Sequence, residues 1–158
     1  MEVERYERYW MWAATGMLVL FIGAIIATAV AGSAHPPSHT ETVDPETLTV
    51  SGEFASPGVV IGANGGVTVS MRAEFYVFRP AVVRVPAGRP VTIRITSPDV
   101  IHGFQVVGTN INLTVAPGYV SEVTTTFDTP GEYLVVCNEY CGLAHHLMQG
   151  TIMVEPAR

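Results

Sequence analysis

The sequence predicts a mainly β protein, an antiparallel sandwich of short strands preceded by one N-terminal transmembrane α-helix. Three observations lead there. Residues 11–31 carry no charge, whereas beyond residue 47 no window shows helical periodicity and short alternating apolar runs recur between turn signals. The third is a cluster of two Cys, a His and a Met within residues 137–148, a donor set that needs a rigid loop to hold it.

A chain of 158 residues has room for one domain of ordinary size, and its first thirty residues differ in character from the rest. The expected division is a cytoplasmic N-terminus at 1–10, a transmembrane helix at 11–31, a linker at 32–46 and a β domain at 47–158. All eight basic residues are arginine, and the formal net charge is -6. That balance speaks against nucleic-acid binding. It leaves open whether surplus carboxylate steers a basic protein partner or serves solubility.

As a helix rising ~1.5 Å per residue, residues 11–31 span about 31 Å and match a hydrocarbon core of ~30 Å. Tyr6, Tyr9, Trp10 and Trp12 gather at the start, Arg5 and Arg8 lie beside them, and residues 32–46 hold no Lys or Arg. Aromatic rings favour the headgroup region, and the positive-inside rule puts the N-terminus in the cytoplasm and the β domain outside. Ala29-Val30-Ala31 resembles a signal-peptide cleavage site. The leading Glu2, Glu4 and Glu7 and the length of the apolar run favour a retained anchor instead. Gly23, Ala27 and Ala31 form a small-residue stripe that permits close approach of another helix, although such residues are common in any span.

From Gly32 to about Glu46 the chain is rich in Pro, Ser, Thr and His, and Pro36-Pro37 breaks any helix. His35 and His39 lie there as solvated linker residues. Strands are predicted at 67–71, 82–85, 91–96, 104–107, 111–115, 120–127, 133–137 and 151–154. Val91, Ile93 and Ile95 alternate with polar residues and define a core face. Ala87-Gly88, Pro117-Gly118 and Pro130-Gly131 supply turns, because Pro presets one dihedral and Gly permits positive φ. Many short strands in about 110 residues point to an antiparallel sandwich. The glycine-rich stretch 52–66 reads as a surface loop. Phe75-Tyr76-Val77-Phe78 reads as core aromatics, and Asn112-Leu113-Thr114 as a chance glycosylation sequon.

The candidate ligands ride on the loop between the last two strands. Sulfur and imidazole donors favour copper over hard cations, and a single-copper blue site needs one Cys, two His and a weak axial Met. Residues 137–148 hold one Cys too many for that. Cys137 and Cys141 can instead bridge two metals, each terminated by one of His102 and His145, with Met148 and the Glu139 carbonyl as weak axial donors. A disulfide is the competing use of two cysteines outside the cytosol.

The pattern His102 … Cys137-x-Glu139-x-Cys141-x-x-x-His145-x-x-Met148 resembles the CuA motif of subunit II of heme-copper cytochrome c oxidases. The single helix, Ser97-Pro98-Asp99-Val100-Ile101-His102-Gly103-Phe104 and Gly108-Thr109-Asn110-Ile111-Asn112 resemble the B-family, cytochrome-ba-type members in particular. The resemblance implies a cupredoxin-like Greek-key sandwich, with Cys137 and Cys141 bridging two copper ions and His102 and His145 binding one each. Met148 and the Glu139 backbone oxygen are implied as axial ligands, and the Glu139 side chain as a magnesium ligand at the contact with subunit I. The motif register favours His145 over its neighbour His146, which would face the subunit interface or a nearby hydrogen-bond partner. Asp99 is either an orienting partner of the His102 imidazole or an exposed turn residue.

The implied function is electron entry into a terminal oxidase of a prokaryotic cytoplasmic membrane. A c-type cytochrome or small copper protein donates to CuA on the periplasmic face, and subunit I, which carries the hemes, reduces oxygen to water and translocates protons. The rivals are the CuA domain of a nitrous-oxide or nitric-oxide reductase and a membrane-anchored copper carrier or binding module.

Overall fold

The computed structural model describes residues 4–31, 41–63 and 65–156; His35 and His39 lie outside them. The chain divides into two compact units, Met1–His39 and Thr40–Arg158. The first holds the helix α1 (Arg5–Ala31), long and apolar enough to cross a membrane. Its apolar residues face outward on every side, which is the pattern of a helix solvated by lipid rather than packed in a core.

The second unit is a sandwich of two five-stranded sheets. In the first, β1 (Gly58–Ile61), β2 (Val67–Glu74), β5 (Pro90–Thr96) and β8 (Ser121–Thr126) lie in that order, and β3 (Val77–Arg79) pairs with β2. The second runs β4 (Val82–Pro86), β10 (Gln149–Glu155), β9 (Gly131–Val136), β6 (His102–Val106) and β7 (Asn112–Val115). Alternation sets the inner faces: Val67, Val69, Met71 and Ala73 of β2 and Val91, Ile93 and Ile95 of β5 are all buried, as the two-residue period of a strand requires. Between the sheets the rings of Phe78 and Phe104 meet edge to face at 5.6 Å, an arrangement that adds ~0.5–1.5 kcal/mol beyond the area it buries.

Three expectations are corrected. The sandwich is mixed rather than antiparallel, because β2 pairs with β5 and β4 with β10 in parallel. The stretch 52–66 is not wholly loop: Gly58–Ile61 forms β1 along the edge of β2, since one strand edge needs only four extended residues and tolerates exposed side chains. The aromatic run 75–78 is only partly core. Phe78 is buried, while Phe75 stays half exposed.

Segment 41–46, inside the range assigned to the linker, is bonded to the sandwich. Thr42 bridges Tyr119, Val43 N–H donates to the Gly118 carbonyl, and Val120 N–H donates to the Glu41 carbonyl. Arg94 on β5 clamps the same region, with its guanidinium paired to Glu41, Glu53 and Glu122. Partial burial works against the charge on Arg94, yet the hydrogen bonds it donates to the three carboxylates prevail and raise its pKa.

Candidate metal centre

Strand pairing brings the predicted ligands to one end of the second sheet. His102 is the first residue of β6, Cys137 directly follows β9, and Met148 directly precedes β10. β9 and β10 are antiparallel neighbours, with Gln149 opposite Val136, so residues 137–148 form the loop of a wide hairpin. Its base is closed by Cys137 N–H donating to the Met148 carbonyl at 3.2 Å. Two short hydrogen bonds, His145 N–H to the Gly142 carbonyl and Met148 N–H to the His145 carbonyl, wind its second half into a 3₁₀ turn over His145–Leu147.

Among the described residues, one group of three metal-binding side chains converges: the donor atoms of His102, Cys137 and Cys141 lie within 4.8 Å of one another, and all three residues are buried. The two thiols are free and their sulfurs stand 3.8 Å apart. Cys141 Sγ is 3.7 Å from His145 Nδ1 and 3.7 Å from Met148 Sδ. The Glu139 carbonyl oxygen sits 3.2 Å from Cys137 Sγ. His145, Met148 and the Glu139 carbonyl therefore each touch one of the two cysteines, while His145 lies outside the group of three that converges. The neighbouring His146 and the Glu139 side chain are exposed.

Whether this donor set fits copper is decided by His102. The residue is fully buried, and its Nδ1 is the one buried side-chain atom among the described residues that has no hydrogen-bond partner. A buried polar atom left unpaired costs ~1–3 kcal/mol, and a role as a metal-ligand nitrogen accounts for it. The opposite nitrogen, Nε2, pairs with Asp99 Oδ1 at 2.8 Å. This carboxylate–histidine contact leaves Nδ1 as the lone-pair nitrogen, the tautomer a metal requires. Two sulfurs, two imidazole nitrogens and a thioether fit a soft, redox-active metal pair.

Asp99 is itself heavily restrained. Oδ1 also accepts from Val100 N–H at 2.6 Å and lies 2.9 Å from Ser97 Oγ, and Oδ2 accepts from Phe75 N–H at 2.8 Å. Burial disfavours its charge, but the hydrogen bonds from His102, Val100, Phe75 and Ser97 outweigh burial and hold the carboxyl below its ordinary range. The exposed-turn alternative for Asp99 is thus set aside. Burial, reinforced by the adjacent Cys137, pushes the Cys141 thiol up to about 11, so metal binding must displace a firmly held proton.

Several contacts around the site carry no motif. Gly103, next to His102, lies so close to the loop that a Cβ there would overlap Asn138 Oδ1 and stand 2.7 Å from the backbone nitrogens of both Asn138 and Glu139. Gly142 has φ +132, and a Cβ on it would stand 2.8 Å from the Tyr76 hydroxyl oxygen. The Phe75 ring lies edge-on to His102 at 6.4 Å, and Tyr140 is tilted against His145 at 5.8 Å. The two glycines are legible only as glycines in a sequence; which backbone each admits depends on strands far apart along the chain.

Residues 72–156 match the family model described as cytochrome c oxidase subunit II, periplasmic domain. Cytochrome c oxidase subunit 2 of Thermus thermophilus is 44% identical over 155 residues, covering 95% of this chain and 92% of that protein. The nitrous-oxide reductase of Stutzerimonas stutzeri is 34% identical over 102 residues, which is 62% of this chain but 16% of the reductase. Among solved structures, a chain from a heme-copper terminal oxidase dimer superposes with a TM-score of 0.65 at 32% identity, covering 96% of this chain and all of that one. The two-sheet architecture is cupredoxin-like.

Proposed function

The chain belongs to the cytochrome c oxidase subunit II family, and from that membership we propose a ligand assignment, a class of donor and a membrane orientation. It is the electron-entry subunit of a heme-copper oxidase, associates with subunit I and takes a binuclear CuA centre. The reductase and carrier readings are not retained.

In the assignment, the thiolates of Cys137 and Cys141 and the imidazoles of His102 and His145 would hold the two coppers, the thiolates shared between them and one imidazole on each. Met148 Sδ and the Glu139 carbonyl oxygen would complete the donor set as weak ligands. A copper pair bound there supplies one-electron transfer with the charge spread over two metals. The chain's own residues hold the donors in place before and after transfer, which lowers the reorganisation each transfer needs. Burial of His102, Cys137, Cys141 and Met148 keeps water off the sulfurs. The observation that carries this assignment is the buried convergence of His102 with both thiols, together with the unpartnered Nδ1 of His102.

Half-buried His145 is the most exposed of the ligand side chains, and Tyr140, Leu143 and Leu147 stand exposed around it. Such an apolar rim supports docking of a c-type cytochrome or a small copper protein whose own cofactor edge reaches its surface. Electrons then pass to the hemes of subunit I, where oxygen is reduced to water with proton translocation. Arg5 and Arg8 at the start of α1 support a cytoplasmic N-terminus at 1–10, a crossing at 11–31, a linker at 32–46 and a periplasmic domain at 47–158, in the cytoplasmic membrane of a prokaryote. A magnesium role for the exposed Glu139 carboxylate requires ligands from subunit I.

The test is electron paramagnetic resonance of the full chain loaded with copper. A mixed-valence pair gives a seven-line hyperfine pattern; a four-line, single-copper signal overturns the assignment.

A further inference from the structure

We propose that Asn138 is a positioning residue of the copper site, a latch that sets the height of the Cys137–Met148 loop over His102 by bridging from the loop, across β6, to Asn112 on β7. The inference rests on the ligand assignment above.

The need for such a latch comes from where the sheet stops. The β6–β9 ladder consists of Val106 opposite Val135 and Gln105 opposite Val136, and it ends there. His102 lies three residues beyond the end of that ladder on β6, and Cys137 one residue beyond it on β9. The β6–β9 pairing that could fix the height of the loop therefore stops before the ligands. β6 remains paired to β7 through all of this region, from Gln105 opposite Asn112 to His102 opposite Val115.

Asn138 supplies contacts beyond the end of that ladder. Its Nδ2 donates to Asn112 Oδ1 at 2.9 Å. Its Oδ1 occupies the space a side chain at residue 103 would fill, and the loop backbone at Asn138 and Glu139 follows it down onto Gly103. The loop thus rests on the peptide next to one histidine ligand while its amide is tethered to the strand beyond. Asn112, the first residue of an apparent sequon, is committed to this bond.

A metal site tolerates ligand displacements of only about 0.2 Å, whereas a single exposed hydrogen bond contributes modestly to folding. The latch is consequently expected to act on the metal far more than on the stability of the fold, which separates a positioning role from a merely structural one.

The experiment compares copper-loaded full-length chains carrying Asn138→Ala, Asn112→Ala, both together, and Asn112→Asp, which keeps an acceptor for the Asn138 amide. Hyperfine structure, copper retention against a competing chelator and unfolding temperature are read for each. Expected are unequal copper couplings and about tenfold weaker retention in either alanine variant, no additional loss in the double variant, and recovery in Asn112→Asp. Wild-type couplings and retention in Asn138→Ala would overturn the latch, as would a fall in unfolding temperature alone. If Asn138→Ala fails to fold, Asn112→Ala with wild-type couplings overturns it equally. A wild-type chain without a binuclear signal would sink the ligand assignment itself, a result distinguishable from failure of the latch.

Discussion

Replacing Asp99 by Asn keeps the shape of the side chain and removes one oxygen and one charge. The four donors around it cannot all be served by what is left. With the remaining oxygen turned toward His102 Nε2, Val100 N–H and Ser97, the new amide faces the Phe75 N–H, which now bonds Oδ2 at 2.8 Å. The opposite orientation strands more donors, so the first prevails and one donor is left facing another. An unsatisfied buried donor costs ~1–3 kcal/mol; Phe75 is half exposed, so water relieves part of this and a loss of about 1 kcal/mol is expected. The copper centre feels a second effect. His102 exchanges a charged acceptor for a neutral one, the imidazole becomes a poorer donor, and the more positive oxidised site loses a nearby negative charge. The reduction potential should therefore rise, and a differential of about 1 kcal/mol corresponds to roughly 40 mV for one electron. Redox titration of the copper-loaded full chain, with its unfolding temperature followed in parallel, measures both. A potential that stays put or falls while the binuclear spectrum survives would refute the claim that Asp99 tunes His102.

Other outcomes follow from the same geometry. Cys141→Ser should abolish the binuclear spectrum, since one bridging sulfur is gone; its retention would show the bridge is misassigned. Gly103→Ala must move the loop by about 0.7 Å to bring the 2.7 Å approaches out to ordinary contact near 3.4 Å, well beyond a metal site's tolerance, so copper retention should fall in a chelator competition. Because the folded Cys141 thiol is raised from 9.0 to about 11, its contribution to metal-free stability is complete below about pH 9 and is lost as the pH climbs toward 11; calorimetry of metal-free chain across that window should show the decline, and copper affinity should strengthen with pH over the same range. Arg94→Met should cost about 1–3 kcal/mol in denaturant unfolding and make stability less sensitive to salt, because three partly exposed carboxylates lose their shared cation.

The cluster of Cys137 and Cys141 was legible because copper chemistry constrains residue type and spacing within one loop, and His102 because few histidines were available. Strands such as β5, with Val91, Ile93 and Ile95 alternating, were legible for a similarly local reason. What stayed hidden was set by partners distant in sequence. β1 lies among glycines and shows almost no apolar alternation, and β3 is three residues long. The parallel pairs β2–β5 and β4–β10 join strands separated by long connections, so no turn signal announces them. Asp99 was undecided between an exposed turn and an orienting role until the burial of His102 and the position of Phe75 N–H decided it. Gly103 and Asn138 leave no trace except as a glycine and an asparagine.

The clamp on Arg94 has a mechanical side. Chain entering the sandwich at residue 41 meets its first attachments at Gly118, Tyr119, Val120 and Arg94, which belong to β5, β8 and the turn before β8. The donor atoms hang from β6, β9 and β10 of the other sheet. The first attachments of the segment beginning at residue 41 and the candidate donor loop therefore lie on opposite sheets of the sandwich.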